Sequence, residues 1–329
     1  MLQHKCFERL SLLNNIFLST MIAVLIALTL AITKVPVIGI LTLNFSEVYG
    51  IPYYGFESIY LRNLQQAGAI VVPIHFNNTS EQILAILEQV NGVFITGGAM
   101  EFNVYDENKK PIELTTFAKA GKIIFDRIVE KHNQGIDIPL WGTCMGFQLI
   151  MTVATMDLEL VYKPSDSDSE LGSWWTNVIY NKTERGNSKL LKYLSPIYEY
   201  AIETENVTLN GHGFMATVEQ FAKDNNGKLR VVGSSKSRTG KYEFVSIIEG
   251  VNAPIYGTQF HPEVRYDSFH NITTISIGQE MANFFVSEAR KNTQSMSDDD
   301  INKMEIYKCA QSMFDKTRAK QLYVMPITT

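Results

Sequence analysis

Three side chains in this sequence have the types and spacing of a nucleophile, a base and its orienting acid. Cys144 stands in Trp141-Gly142-Thr143-Cys144-Met145-Gly146-Phe147-Gln148, between a short apolar run and an apolar helical stretch. Small residues two before and two after a nucleophile permit a sharp strand-to-helix turn that presents it at a strand's C-terminal end. The helix N-terminus behind a cysteine so placed favours thiolate over thiol. A lone cysteine between turn glycines is more often buried and inert, so a second motif has to speak for it. Tyr256-Gly-Thr-Gln-Phe-His261-Pro262-Glu263 ends another apolar run. Residues two apart in an extended chain point the same way, which predicts Glu263 beside the His261 imidazole. There it would fix the ring's tautomer and stabilise its protonated form. Cysteine and His-x-Glu at two strand ends predict nucleophilic acyl-transfer chemistry, with no metal and no cofactor.

The elements that must position these groups alternate from Val35 onward. Val37–Leu43 reads as a strand, Tyr54–Ala67 as a helix, Ala69–Ile74 as a strand, and Glu81–Gln89 as a helix. Gly92–Thr96 is a strand running into Gly97-Gly98, Thr115–Lys131 a helix, and Ile138–Trp141 a short buried strand. Strands follow at Arg230–Ser234, Glu243–Glu249 and Pro254–Phe260, and a helix at Ile277–Arg290. Such alternation predicts an α/β fold whose mostly parallel, flavodoxin-like sheet carries helices on both faces. The stretch from Lys163 to about Gly227 is polar and lacks a βαβ unit, so it reads as inserted loops and short elements. The polar start after Lys291 (Ser297-Asp-Asp-Asp) makes residues 293–329 a tail, read as a surface appendage.

The paired motifs resemble the class I glutamine amidotransferase superfamily. Three further stretches are similar to the γ-glutamyl hydrolases within it: Tyr60 through Ala67-Gly-Ala-Ile-Val-Val-Pro73, Asn91-Gly-Val-Phe-Ile-Thr-Gly-Gly98, and Phe284-Phe-Val-Ser-Glu-Ala-Arg-Lys-Asn292. The resemblance covers roughly Pro36 to Asn292 and is weakest from Lys163 to Thr204. It implies a class I glutamine amidotransferase-like domain over 35–292, a secreted or lysosomal (in some lineages vacuolar) setting, and hydrolysis of γ-linked glutamates in folylpolyglutamates. Carried over by position, Cys144 is the nucleophile, His261 the general base and acid, and Glu263 its partner. The Gly97-Gly98 turn and the Met145 amide would form the oxyanion hole, because glycine lets backbone N–H groups approach developing charge. His212, in Asn210-Gly211-His212-Gly213-Phe214, stands where the family has a further histidine near the nucleophile. Gln148 is a departure, since family members often carry glutamate there. A glutamine amidotransferase or glutaminase, and a catalytically silent protein on the same fold, are the alternatives.

Bulk properties bound the rest. A net charge of −5 over 329 residues, with 19% charged residues, gives no basic footprint for nucleic acid. The expected partner is a small-molecule γ-glutamyl substrate, with a homodimer left open. Lys5 and Arg9 precede an apolar run from Ile16 to Ile32 ending at Thr33-Lys34. Residues 1–34 therefore read as a secretory leader cleaved beside Lys34, the alternative being a retained signal anchor that holds the chain at a membrane. Of the cysteines Cys6, Cys144 and Cys309, two would remain after cleavage, too few for a disulfide framework. Sequons at Asn44, Asn77, Asn78, Asn181, Asn206 and Asn271 fit a glycoprotein. His75, His132 and His270 lack partners at ligand spacing and read as loop or surface residues. Trp174-Trp175 reads equally as a cleft wall or a loop anchor.

Overall fold

The computed structural model describes residues 17–21, 35–164, 173–263, 271–316 and 320–326. Most of the N-terminal apolar run, and His270, lie outside these residues. Within the run, residues 17–21 are helical. Among the described residues no helix is long and apolar enough to cross a membrane. Residues 1–35 and 36–329 form two separate compact units. The second unit contains Cys144, His261 and Glu263.

The centre of this second unit is an eight-stranded sheet. In chain order the strands are β1 (Val37–Leu41), β2 (Ile70–Ile74), β3 (Gly92–Ile95), β4 (Leu140–Thr143), β5 (Ile179–Tyr180), β6 (Leu229–Lys236), β7 (Glu243–Gly250) and β8 (Ile255–Thr258). Across the sheet they run β5-β6-β7-β8-β4-β3-β1-β2. The block β8-β4-β3-β1-β2 is parallel, and β7, β6 and β5 extend it antiparallel. Continuous apolar runs such as Val37-Ile-Gly-Ile-Leu41 suit a strand covered on both faces. Alternate side chains accordingly enter different cores. Val37, Leu41, Val93, Ile95 and Leu140 join one, and Ile38, Ile40, Phe94 and Trp141 join the other.

Helices supply the two covers. On the first face lie α2 (Ser80–Leu87), α3 (Thr116–Asn133) and α4 (Met145–Thr155), through Ile83, Leu87, Phe117, Ile124, Phe147 and Ile150. On the second lie α1 (Ser58–Gln66) and α5 (Ile272–Arg290), through Leu61, Leu64, Met281, Phe284 and Phe285. Helix starts follow ordinary capping rules: Thr79 and Gln82 close a reciprocal box at α2, and Asn271 accepts from Thr273 and Thr274 N–H at α5.

Two sequence expectations are corrected. Residues 54–67 are not one helix, because Tyr53–Glu57 is a strand and only Ser58–Gln66 is helical. The residues after 292 are not a surface appendage. Lys320–Pro326 pairs antiparallel with Tyr53–Glu57, and Ile306, Leu322, Val324 and Met325 are buried. Those apolar positions outweigh the polar start of the tail. His132, expected at the surface or in a loop, is part-exposed at the surface in the last turn of α3, with Nδ1 2.6 Å from Asp137.

Candidate active site

Strands β3, β4 and β8 are adjacent and parallel, so their C-terminal ends lie side by side. Gly97-Gly98 follows β3, Cys144 follows β4, and His261 follows β8. Cys144 takes φ 53°, ψ −106°, a conformation L-residues rarely adopt, at the entry to α4. The turn is held from both sides: Cys144 N–H donates to the Thr258 carbonyl at 2.8 Å, and Gly146 N–H to the Thr96 carbonyl at 3.0 Å. Both flanking glycines are required by close approach. A Cβ on Gly142 would stand 2.6 Å from the Gly146 carbonyl oxygen, and one on Gly146 would stand 2.2 Å from that of Ile95.

His261 Nδ1 lies 2.6 Å from Glu263 Oε1, the contact expected from the sequence. It is made across a turn rather than along an extended strand. Helix α5 shapes that turn, because Gly278 leaves room for the Pro262 carbonyl, which a Cβ would meet at 1.9 Å. Burial alone would lower the His261 imidazole. The negative charges of Cys144 and Glu263, each also hydrogen-bonded to it, outweigh burial and raise it well above its ordinary value. The ring is therefore held protonated between a sulfur and a carboxylate.

The expected oxyanion hole changes in one member. Gly97 N–H is already taken, donating to the Tyr60 hydroxyl at 3.1 Å. Gly98 lines the clefts beside Cys144, and Met145 N–H, in the first turn of α4, has no intrahelical acceptor. Gly98 and Met145 are thus the two expected donors that remain available. Tyr60 is a site residue that sequence reasoning missed. Its phenol is buried, and burial followed by the charge of Glu263 pushes its ionisation well above the ordinary value, so it stays a neutral hydroxyl.

Two clefts meet at Cys144. One, of about 270 Å³, is lined by Tyr49, Glu57, Tyr60, Gly98, Gly211, His261, Glu263 and Lys320 among others. The other, of about 230 Å³, is lined by Met100, Phe102, Tyr105, Met145, Gln148, His212 and Phe214 among others. His212 thus reaches the site. Nδ1–H of the neutral ring donates to the Phe214 carbonyl at 2.8 Å, which leaves Nε2 an acceptor, 3.2 Å from Asn210 Oδ1. Burial, opposed by the Phe214 bond and aided by the positive His261, depresses its pKa to about 3. Gln148 Nε2 donates to the same Phe214 carbonyl at 2.9 Å and to Gln259 at 3.0 Å, so this departure from the family pattern ties α4 to the His212 loop. Trp174 packs on His212, ring centroids 4.9 Å apart, and lines neither cleft, which makes it a loop anchor.

Comparison with known proteins agrees with this arrangement. Gamma-glutamyl hydrolase B of Dictyostelium discoideum is 29% identical over 91% of this chain and 85% of that protein. The mouse gamma-glutamyl hydrolase is 27% identical over 78% of each chain, and the human one 26% over 83% of this chain and 84% of that protein. The peptidase C26 family model matches residues 36–263, a span that holds Cys144, His261 and Glu263 and all eight strands of the central sheet. The chain belongs to the peptidase C26 family and is a hydrolase.

Proposed function

We propose that the enzyme hydrolyses γ-glutamyl bonds, in folylpoly-γ-glutamates and related γ-glutamyl peptides, through a thioester on Cys144. The observation that carries this reading is the placing of Cys144, His261 and Glu263 in one cleft, with His261 Nδ1 2.6 Å from the Glu263 carboxylate. The curated relatives' names supply the bond type.

In the first half-reaction the Cys144 sulfur attacks the γ-carbonyl carbon. The carbonyl oxygen becomes an oxyanion, accepting from the N–H groups of Gly98 and Met145. His261 gives its proton to the departing amine as the C–N bond breaks, and Glu263 holds Nδ1 throughout. In the second, neutral His261 takes a proton from water, the hydroxide attacks the thioester, and the sulfur leaves as thiolate. The two clefts that meet at Cys144 would take the two sides of the scissile bond.

Purified protein is expected to hydrolyse a γ-glutamyl peptide at least about tenfold faster, as kcat/KM, than free glutamine. Rates of amine and of ammonia release measure this. Equal or faster glutamine hydrolysis would return the glutaminase reading. Iodoacetamide should alkylate Cys144 before Cys309, whose thiol is pushed up by burial.

The chain is further proposed to enter the secretory route toward a secreted or lysosomal location, on the strength of the positively flanked apolar run and the sequons. Native protein should begin near Lys34 on N-terminal sequencing. An intact Met1 would overturn cleavage.

A further inference from the structure

We infer that the second cleft takes the acyl side of the substrate and holds an aryl group carried on the α-nitrogen of the attacked glutamate. The γ-bond next to that aryl head is then cut before the bonds further along the chain. The inference rests on the γ-glutamyl reading above and adds which bond is chosen.

The general acid fixes which side goes where. His261 lines the first cleft and not the second. Its proton goes to the departing amine, so the leaving portion lies on the His261 side and the acyl portion on the other. Charge agrees with this. The first cleft holds two cations, Lys320 and the protonated His261, beside Glu57 and Glu263. Among the described residues lining the second, apart from the Cys144 that both share, Glu101 is the one charged side chain, since His212 stays neutral. A leaving glutamate brings carboxylates, and burying one beside Glu101 with no cation is costly.

Three rings, Phe102, Tyr105 and Phe214, stand in the wall of the second cleft. Phe102 is fixed by stacking on Phe117, the ring planes 17° apart. Tyr105 is carried on an antiparallel hairpin of Asn103–Tyr105 with Pro111–Leu114, which Asn103 Nδ2 ties to the Leu158 carbonyl at 2.8 Å. Tyr105 and Phe214 are 48% and 45% exposed, so each has ring surface left to cover. Gln148 spends Nε2 on the Phe214 carbonyl and on Gln259, and the atom it has left is the acceptor Oε1. The N–H of an acylated α-nitrogen matches that acceptor, and a carboxylate does not. From the attacked carbon to the first ring atom of an N-aroyl group is six bonds, roughly 7 Å at ~1.2 Å of advance per bond. That reach is comparable with the width of a cleft of about 230 Å³ opening at Cys144. The attacked residue's own α-carboxylate branches off earlier, near the junction of the clefts, and can turn toward the two cations. In a γ-linked chain with an aroyl head, only the innermost glutamate carries the aryl group. Every later one carries a γ-glutamyl residue on its nitrogen, and the carboxylate of that residue would be desolvated among the three rings.

The test uses the full chain with three substrates: γ-linked diglutamate bearing an N-(4-aminobenzoyl) group, the same diglutamate bearing N-acetyl, and N-(4-aminobenzoyl) γ-linked triglutamate. Wild type is expected to prefer the aroyl diglutamate over the acetyl form by about tenfold or more in kcat/KM. From the triglutamate it should release the intact γ-linked diglutamate first, read by liquid chromatography. Combining Tyr105→Ala with Phe214→Ala should bring the preference to within about twofold of unity, mostly through a higher KM for the aroyl substrate, while Tyr105→Phe should keep it. The Phe214 carbonyl that holds His212 and Gln148 is backbone and stays in place. Circular dichroism and thermal melting check the fold. If the double variant melts early, Tyr105→Ala alone, on the exposed hairpin, should still lose about threefold of the preference. Equal wild-type turnover of the aroyl and acetyl forms, free glutamate as the first product of the triglutamate, or unchanged preference in the variants overturns the inference and leaves γ-glutamyl hydrolysis standing. If nothing is turned over, the γ-glutamyl reading fails, and protection of Cys144 from iodoacetamide decides the cleft, read by peptide mapping. Protection by N-(4-aminobenzoyl)-L-glutamate but not by N-acetyl-L-glutamate supports the aryl site, and equal protection, or none, overturns it too.

Discussion

Replacing Cys144 by alanine should lower kcat/KM on a γ-glutamyl substrate by about 10³-fold or more while the protein stays folded. The loss follows from removing the only atom that can form the thioester; the Gly98 and Met145 amides would still polarise the carbonyl but have nothing to stabilise after attack. Steady-state kinetics and a thermal melt on the same preparation make the measurement, and a folded alanine variant with most of its activity sinks the mechanism. The backbone adds a second expectation. At φ 53° both cysteine and alanine are strained, and glycine is not. Relief of ~1–3 kcal/mol of strain, less ~0.5–1 kcal/mol for the extra freedom of unfolded glycine, leaves Cys144→Gly more stable than Cys144→Ala by about 1 kcal/mol. Both variants lack the sulfur, so their difference isolates the strain. Equal melting temperatures would show that the turn stores none.

The second large effect is on stability in acid, and it comes from His212. Its native pKa is about 3, against about 6.5 in an unfolded chain. Between those values the unfolded state binds a proton that the native state does not, so stability falls as pH falls, by about 1.4 kcal/mol per unit. His261 has the opposite sign. Its raised value gives stability that is complete below about pH 6.5 and lost only as pH rises through the folded value, so it adds no slope in acid. Depressed carboxylates such as Glu88 and Glu243 stabilise above their unfolded pKa near 4.5, and that contribution is lost only as pH falls further. In the window from pH 6.5 to 5 both His212 and His75, whose value burial also lowers, cost stability, and His212 alone should cost wild type about 2 kcal/mol across it. His212→Asn should lose about 2 kcal/mol less over the same window, read by urea denaturation at each pH. Parallel curves would refute the buried neutral ring. With Nδ1–H bound to the Phe214 carbonyl, the neutral ring has no second proton to donate, and its Nε2 remains an acceptor beside Asn210 Oδ1.

What could be read from the sequence was what adjacent residues decide. The glycines around Cys144 and the His-x-Glu step are local, and the parallel sheet only had to bring two strand ends together. Distant partners defeated the reading elsewhere. Gly97 looked like an oxyanion donor, but the Tyr60 hydroxyl on α1 takes its N–H. Residues 54–57 read as the start of a helix because the period of Tyr60, Leu61 and Leu64 runs backward through them, whereas Tyr53–Glu57 is a strand. It is a strand because residues 320–326 pair with it. Lys320 carried no signal, since nothing around it in the chain shows that it faces a nucleophile.

The pairing of Lys320–Pro326 with Tyr53–Glu57 also has a consequence for the order of synthesis. Glu57 and Lys320 are 263 residues apart. The strand before α1 leaves the ribosome early and has only the two-residue strand Leu43–Asn44 on its other side. At about 5–20 residues per second it waits tens of seconds with an open edge, the kind of edge that invites pairing with a neighbouring chain. The parallel block and the Cys144–His261 constellation can assemble during that interval, but the first cleft lacks a wall until the final strand arrives. The nascent enzyme is thus exposed to edge-to-edge aggregation until Lys320–Pro326 is made, and that strand is both the cover for that edge and the carrier of Lys320.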